Sequence, residues 1–164
     1  YFLSKIIGEY LINYSSLNFV IFRPHNIFGP EMGFSHVIPQ LTKKIINKKN
    51  KKILIANSSH KRTFCYIDFA IELILKISHN KKSSRKIYNI GSPENDISIM
   101  QLARKITEIL NSKKKLLTSK KLSDHSPKKR RPDMSKSFIF IKTKHNFHEG
   151  LKETVKWYQK YFTN

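Results

Sequence analysis

The hydrophobic period of this chain switches repeatedly between that of a helix and that of a strand, a pattern that an alternating α/β arrangement satisfies. Phe2, Leu3, Ile6, Ile7, Tyr10, Leu11 and Tyr14 recur at a spacing of about 3.6, which predicts an amphipathic helix over residues 2–14. Residues 18–22 are β-branched and aromatic and run into Arg23-Pro24, so a short buried strand is expected to deliver the chain into a loop through Asn26 and Gly29-Pro30. Further helices are expected over residues 37–46 and 69–77, and strands over 53–55, 63–67 and 87–90. Ser98 and Gln101 have the spacing of a capping box, which predicts a helix running to about Leu110. A last helix over about 149–162 carries Leu151, Val155, Tyr158 and Phe162 on one face. Residues 111–132, rich in Lys, Ser and Pro, are expected to form an exposed loop.

At 164 residues the chain is long enough for one domain with a core. Its first residue is Tyr1, and no apolar run approaches the roughly 20 residues that span a bilayer, so no membrane role is expected and the natural start is expected to lie upstream. The single cysteine, Cys65, cannot form an internal disulfide, which fits a reducing compartment such as the cytoplasm. The net charge of +21 is spread along the chain, with clusters at 48–52, 113–115 and 128–131 that read as solvated faces. No nucleic-acid motif accompanies it, so a dedicated nucleic-acid partner is not expected. A basic module holding RNA, DNA or an anionic surface through phosphates is the rival from another class, and a truncated, inactive remnant is a third reading. His25, His36 and Cys65 lack metal-ligand spacing and read as packing or solvent-facing groups, so no metal is expected.

Tyr1 and Lys5 stand four apart on the first predicted helix, so their side chains share a face and the ammonium can favour the phenolate. A tyrosine tuned in this way can exchange a proton with a sugar hydroxyl while a nicotinamide exchanges hydride. Taken alone, the pair also fits an ordinary amphipathic surface.

The pair has company: Tyr1-Phe2-Leu3-Ser4-Lys5 continues as Ile6-Ile7-Gly8-Glu9 and is followed by Arg23-Pro24-His25-Asn26-Ile27-Phe28-Gly29-Pro30. Met32-Gly33 with His36-Val37-Ile38-Pro39, Arg62-Thr63-Phe64-Cys65-Tyr66-Ile67-Asp68, Tyr88-Asn89-Ile90-Gly91-Ser92-Pro93 and Arg130-Arg131-Pro132-Asp133-Met134-Ser135-Lys136 come in the same order. Over nearly its whole length the chain resembles the C-terminal portion of the extended short-chain dehydrogenase/reductases that act on nucleotide sugars, the NAD-dependent epimerases and dehydratases. The segments around Phe64 and Arg130 are similar to UDP-glucuronate decarboxylases, and residues 23–39 to bacterial epimerases and dehydratases of surface-polysaccharide pathways. The reaction therefore stays open between epimerisation, dehydration and decarboxylation.

The resemblance implies an α/β fold: the C-terminal part of a doubly wound, Rossmann-like sheet domain plus a small α/β substrate-binding domain. Residues 1–30 would end the dinucleotide-binding domain and 31–164 would be mainly substrate-binding, with 62–91 returning to the dinucleotide-binding sheet. It implies Tyr1 as acid/base, Lys5 as its tuning partner and ribose ligand, and Pro24 and Ile27 beside the nicotinamide of NAD, with NADP left open. Asn26, Asn89, the Val37-Ile38 backbone, Arg62 and Arg130 would contact a UDP-, dTDP- or GDP-sugar, the arginines at its diphosphate. A homodimer through the 2–14 helix is implied as well.

The sequence departs from the family pattern in several places. No G-x-G-x-x-G turn is present, so the segment alone is expected to be inactive. Ala56 and Ser58 stand where glycines are usual before the Arg62 segment, Asp68-Phe69 replaces an acidic pair, and residues 137–148 lack the usual Gly-Trp corner.

Overall fold

The chain's computed structural model describes all residues except 50, 93–95, 120–126, 143–144 and 164. Pro93 of the matched series and the middle of the 111–132 stretch thus lie outside the described residues, as do two positions of 137–148. Helix α1 (Phe2–Tyr14) leads into β1 (Val20–Pro24), β2 (Ile27–Phe28), α2 (Val37–Ile46), β3 (Lys52–Ile55), β4 (Lys61–Arg62) and β5 (Cys65–Tyr66). Then come α3 (Ile67–Ser78), a single 3₁₀ turn at Lys81–Ser83, β6 (Lys86–Ile90), β7 (Ile97–Ser98) and α4 (Ile99–Ile109). Strands β8 (Lys115–Thr118) and β9 (Lys129–Arg130) precede α5 (Ser135–Phe138) and α6 (Phe147–Thr163). β1 pairs with β6, β2 with β5 and β3 with β8, all parallel, while β4 lies between antiparallel β7 and parallel β9. The fold is mixed α/β with mainly parallel pairing.

Two apolar clusters hold these elements. One joins Ile38 and Ile45 of α2, Ile53 and Ile55 of β3, Leu102 and Ile106 of α4, and Leu151 and Val155 of α6. Each fully buried aliphatic side chain there contributes on the order of 2 kcal/mol. The other packs Phe69, Leu73 and Ile77 of α3 against Tyr88 and Ile90 of β6, with Met134 and Ile141 closing it. Local chemistry agrees with this packing. Pro39 sits in the first turn of α2, where an N–H has no helical partner, and Lys43 and Lys44 face the negative end of the same helix. The Ser98 and Gln101 capping box at α4 is made in both directions, a cap that contributes about 1 kcal/mol.

Three expectations need correction. The strand expected over 18–22 is β1, two residues further on; Pro24 is tolerated there because it closes the strand. The strand expected over 63–67 shrinks to the two-residue β5, because Ile67 already opens α3. The stretch 111–132 is not all loop: β8 pairs in register with β3 and β9 with β4, putting Leu116 opposite Ile53.

α1 has no buried residue, and Phe2, Leu3, Tyr10, Leu11 and Tyr14 are all exposed. A helix of this length is marginal in water without a packed face. What fixes it to the described residues is polar: Glu9 pairs with Arg23, and the Arg85 guanidinium donates to the carbonyls of Asn13, Ser15 and Leu17 at its C-terminal end. Among the described residues, no helix is long and apolar enough to cross a membrane.

Candidate functional site

The end of β1 turns sharply into the site. The His25 N–H donates to the Ile90 carbonyl at 2.8 Å, and Asn26 adopts φ 47°, a left-handed conformation that Asn accepts more readily than most residues. Asn26 is pinned there on both sides. Its carbonyl accepts from the Cys65 N–H at 3.1 Å, and its side-chain Nδ2 donates to the Thr63 carbonyl at 2.9 Å. Thr63 is fully buried, and its Oγ1 lies 3.4 Å from His25 Nδ1. One threonine therefore orients two consecutive residues of the preceding loop.

Pro24, Asn26, Ile27, His36, Val37 and Phe64 line a cavity of about 230 Å³. Its walls are mostly apolar, with Asn26 and His36 as polar points. Of the two residues at the start of α2, Val37 faces this cavity while the Ile38 side chain lies wholly in the core. What Ile38 can offer a ligand is its backbone N–H, in a helix start that no side chain caps.

Arg62 and Arg130 are direct register partners across β4 and β9. Like charges opposite one another are unfavourable, so the pair is suited to an anion that bridges it. Burial first, and then the charge of Arg130, pulls the Arg62 guanidinium below its ordinary pKa. The Arg62 Nη1 donates to the Lys61 carbonyl at 2.7 Å, which aligns the fork. His25 feels both arginines: burial, then Arg130, then Arg62, lowers its pKa, against a hydrogen bond to its own backbone that raises it.

Tyr1 is the N-cap of α1 and 97% exposed, and the Lys5 Nζ lies 5.3 Å from its ring centroid. Among the described residues no hydrogen bond or ring contact ties Tyr1 to the Asn26 and Arg62 cluster. Asn89 is placed elsewhere: with Arg23, Asp133 and Lys136 it lines a second cavity of about 220 Å³, and its Nδ2 donates to the Asp133 carbonyl at 2.8 Å. The structure thus brings Pro24, Asn26, Ile27 and Val37 to one cavity, Arg62 to Arg130, and Tyr1 to Lys5. Cys65 is buried and its thiol pushed up to about 12, which makes it inert. Among the described residues no three His, Cys, Asp or Glu side chains converge as metal ligands.

Sequence reasoning passed over two contacts. Thr63 and His25 stand in the matched segments, but their contact joins residues 38 apart in the chain. The Glu9 and Arg23 ion pair links two matched segments whose relative angle no local pattern encodes.

Residues 1–91 match the family model described as the NAD dependent epimerase/dehydratase family. The bifunctional polymyxin resistance protein ArnA of Wigglesworthia glossinidia brevipalpis is 38% identical over 120 residues, 67% of this chain and 18% of that protein. UDP-D-apiose/UDP-D-xylose synthase 1 of Arabidopsis thaliana is 32% identical over 106 residues, 58% of this chain and 27% of that one. A solved UDP-glucuronic acid 4-epimerase from Bacillus cereus, in complex with UDP-glucuronic acid and NAD, superposes with a TM-score of 0.81 at 22% identity. That superposition covers 97% of this chain and 52% of that one. The chain therefore spans well under two thirds of the proteins it matches.

Proposed function

The chain belongs to the NAD dependent epimerase/dehydratase family, and on that premise we propose that it is the C-terminal portion of a nucleotide-sugar epimerase or dehydratase acting by transient oxidation of the sugar. In this reading residues 1–30 complete a dinucleotide-binding domain, 31–164 mainly bind substrate, and 62–91 return to the dinucleotide-binding sheet. The observation that carries it is the register pair of Arg62 and Arg130, a two-fork cationic site of the kind a diphosphate fills.

The residues present fit a nicotinamide dinucleotide. Pro24 and Ile27 form an apolar wall of the 230 Å³ cavity, which suits one face of a flat ring, and Lys5 stands near Tyr1 as a ribose ligand would. Bound there, NAD, or NADP in its place, would supply the acceptor and donor of hydride.

Tyr1 serves as the acid/base that takes the proton of the sugar hydroxyl while the carbon that bears it is oxidised to a ketone. Asn26, fixed by Thr63 and Cys65, presents its Oδ1 as an acceptor for a sugar hydroxyl. Arg62 and Arg130 hold the diphosphate, with the first-turn N–H groups of Val37 and Ile38 available to the nucleotide. Return of the proton from Tyr1 with reduction on the opposite face gives an epimer. Loss of water from the keto-sugar gives a dehydrated product, and loss of carbon dioxide from a uronic acid gives a decarboxylated one. The exposed apolar length of α1 supports pairing of two copies through this helix.

The test is to express the complete protein that contains this chain and incubate it with NAD or NADP and a panel of UDP-, dTDP- and GDP-sugars, comparing wild type with Tyr1→Phe. Conversion of one sugar by wild type and none by Tyr1→Phe is expected, and the product names the reaction. Absence of any nucleotide-sugar binding would overturn the reading in favour of a basic phosphate-binding module.

A further inference from the structure

We propose that His25 is the third cationic contact of the Arg62 and Arg130 site, taking up a proton when a diphosphate binds there. This rests on the reading of that site as a diphosphate site.

His25 touches the segment that bears Arg62 and shares a corner at Gly91 with the one that bears Arg130. On one side its Nδ1 lies 3.4 Å from the hydroxyl of Thr63, the residue after Arg62. On the other, the chain two residues past Arg130 is packed onto the same corner. A Cβ placed on Gly91 would come within 3.0 Å of Pro132 Cγ and 3.4 Å of His25 Cβ, so Gly91 is what lets these segments close up. The backbone of His25 is fixed as well, through its N–H to the Ile90 carbonyl. The ring is therefore a positioned group rather than a solvated side chain.

Its chemistry follows from its neighbours. Thr63 Oγ1 and Nδ1 share a hydrogen bond whose direction follows the tautomer, and in the protonated ring Nε2 is a donor on the edge away from Thr63. The charged groups that act on the ring are Arg130 and Arg62, and both oppose an imidazolium. Burial is the largest influence and acts in the same direction, while a hydrogen bond to its own backbone works the other way. An anion held between the arginines reverses that balance, because its negative charge favours the protonated ring. The ring is then neutral in the empty site and charged in the filled one. By linkage, proton uptake on binding makes the affinity rise as pH falls through the neutral range. An apolar ring at this position would offer neither proton nor charge, so the histidine sets a pH dependence on substrate capture.

The experiment uses the complete protein and the tightest-binding member of a UDP-, dTDP- and GDP-sugar panel. A sugar diphosphate has no proton of its own to lose near neutrality, so any uptake belongs to the protein. Calorimetric titration in two buffers of different ionisation enthalpy, at about pH 6.5, is expected to show uptake of about half a proton or more by wild type. Affinity should be several-fold weaker at about pH 8 than at about pH 6. His25→Gln, which keeps a hydrogen-bonding partner for Thr63, should bind with no proton uptake and a flat pH profile. Should that variant fail to fold, the His25 ring resonances of wild type supply the readout, with their titration midpoint rising when the sugar is added. Uptake that is unchanged in His25→Gln, or a midpoint that does not move, overturns the proposal. If Arg62→Ala loses binding while His25→Gln matches wild type, this proposal fails and the diphosphate reading stands. If Arg62→Ala binds as wild type does, the diphosphate reading itself fails.

Discussion

Glu9 of α1 and Arg23 of β1 form a two-point ion pair, with Arg23 Nε donating to one carboxylate oxygen at 2.8 Å and Nη2 to the other at 2.5 Å. The hydrogen bond from Arg23 holds the Glu9 carboxyl below its ordinary pKa. The pair is largely exposed, so its worth to global stability is small, under about 1 kcal/mol. Its geometric role is larger. Glu9 lies two turns along α1 from Tyr1, and Arg23 lies three residues before Asn26, so the fork sets the angle between Tyr1 and the loop that carries Asn26. Glu9→Gln in the complete protein should leave the melting temperature within a few degrees and lower kcat about tenfold, the signature of misplaced groups. Arg23→Lys, which keeps the charge without the fork, should behave the same way. Steady-state kinetics beside thermal melts check this; a fall in stability that matches the fall in kcat would assign the pair to folding alone.

Arg85 closes the other end of α1. It reaches three carbonyls, those of Asn13, Ser15 and Leu17, and its guanidinium lies 5.1 Å from the centroid of Phe19. The backbone at Arg85 is itself left-handed, at φ 56°. Arg85→Ala removes all three bonds and keeps the unfavourable backbone, and should cost about 1–3 kcal/mol in urea unfolding. Arg85→Lys should recover less than half of that loss, because one ammonium cannot span three carbonyls. Full recovery by lysine would show that charge at the helix end, not the fork, is what counts.

The elements that were legible in the sequence are those whose signal is local. α1 and α2 have the bounds their periodicity predicts, and the α4 cap follows from Ser98 and Gln101 alone. The buried face of α6 was legible through Leu151, Val155 and Tyr158. Strand β8 was not, because Leu116 and Leu117 are two apolar residues among lysines, and only pairing with β3 some 60 positions earlier makes them a strand. In the site, motif order pointed to Asn26, Arg62 and Arg130, but nothing local says that Arg62 meets Arg130 in register. The structure also shows what no motif carries: Thr63 orients Asn26, while the amide of Asn89 is turned to Asp133. The turn before Arg62, where glycines are usual, keeps a left-handed residue by using Asn57 at φ 48°.

His145 should make the fold acid-sensitive. Its Nε2 accepts from the Tyr66 N–H at 2.7 Å, which requires that nitrogen to be unprotonated, and burial pulls its pKa down to about 4. The unfolded chain binds a proton below the ordinary value near 6.5, and the folded one only near 4. The stabilisation is therefore complete above about pH 6.5 and is lost as pH falls toward 4, by up to roughly 3 kcal/mol. His25 is lowered too, so the contribution of His145 is read as the difference from a variant. Urea unfolding between pH 4.5 and 7.5 should show a slope that His145→Gln reduces. Equal slopes in the two proteins would mean that the imidazole does not titrate with folding.

Gly150 tests whether packing overrides helix propensity at the base of the site. It lies inside α6, where replacing glycine with alanine ordinarily gains up to about 1 kcal/mol. Here a Cβ would fall 2.4 Å from Tyr66 Cγ and 2.9 Å from Tyr66 Cβ, the root of the side chain rather than a tip that can swing aside. Tyr66 is held at both ends, by its hydroxyl to Glu153 at 2.7 Å and by its N–H to His145. It also follows Cys65, whose N–H fixes Asn26. Gly150→Ala should therefore destabilise the fold by about 1–3 kcal/mol, the cost of overpacking, and weaken substrate binding by moving Asn26. In a Tyr66→Ala background the ring is gone, and the same substitution should become neutral or stabilising. A double-mutant cycle by urea unfolding measures the coupling directly. Stabilisation by Gly150→Ala in the wild-type background would show that α6 can shift away from β5 without cost, and with it that the approach of the two does not position Asn26.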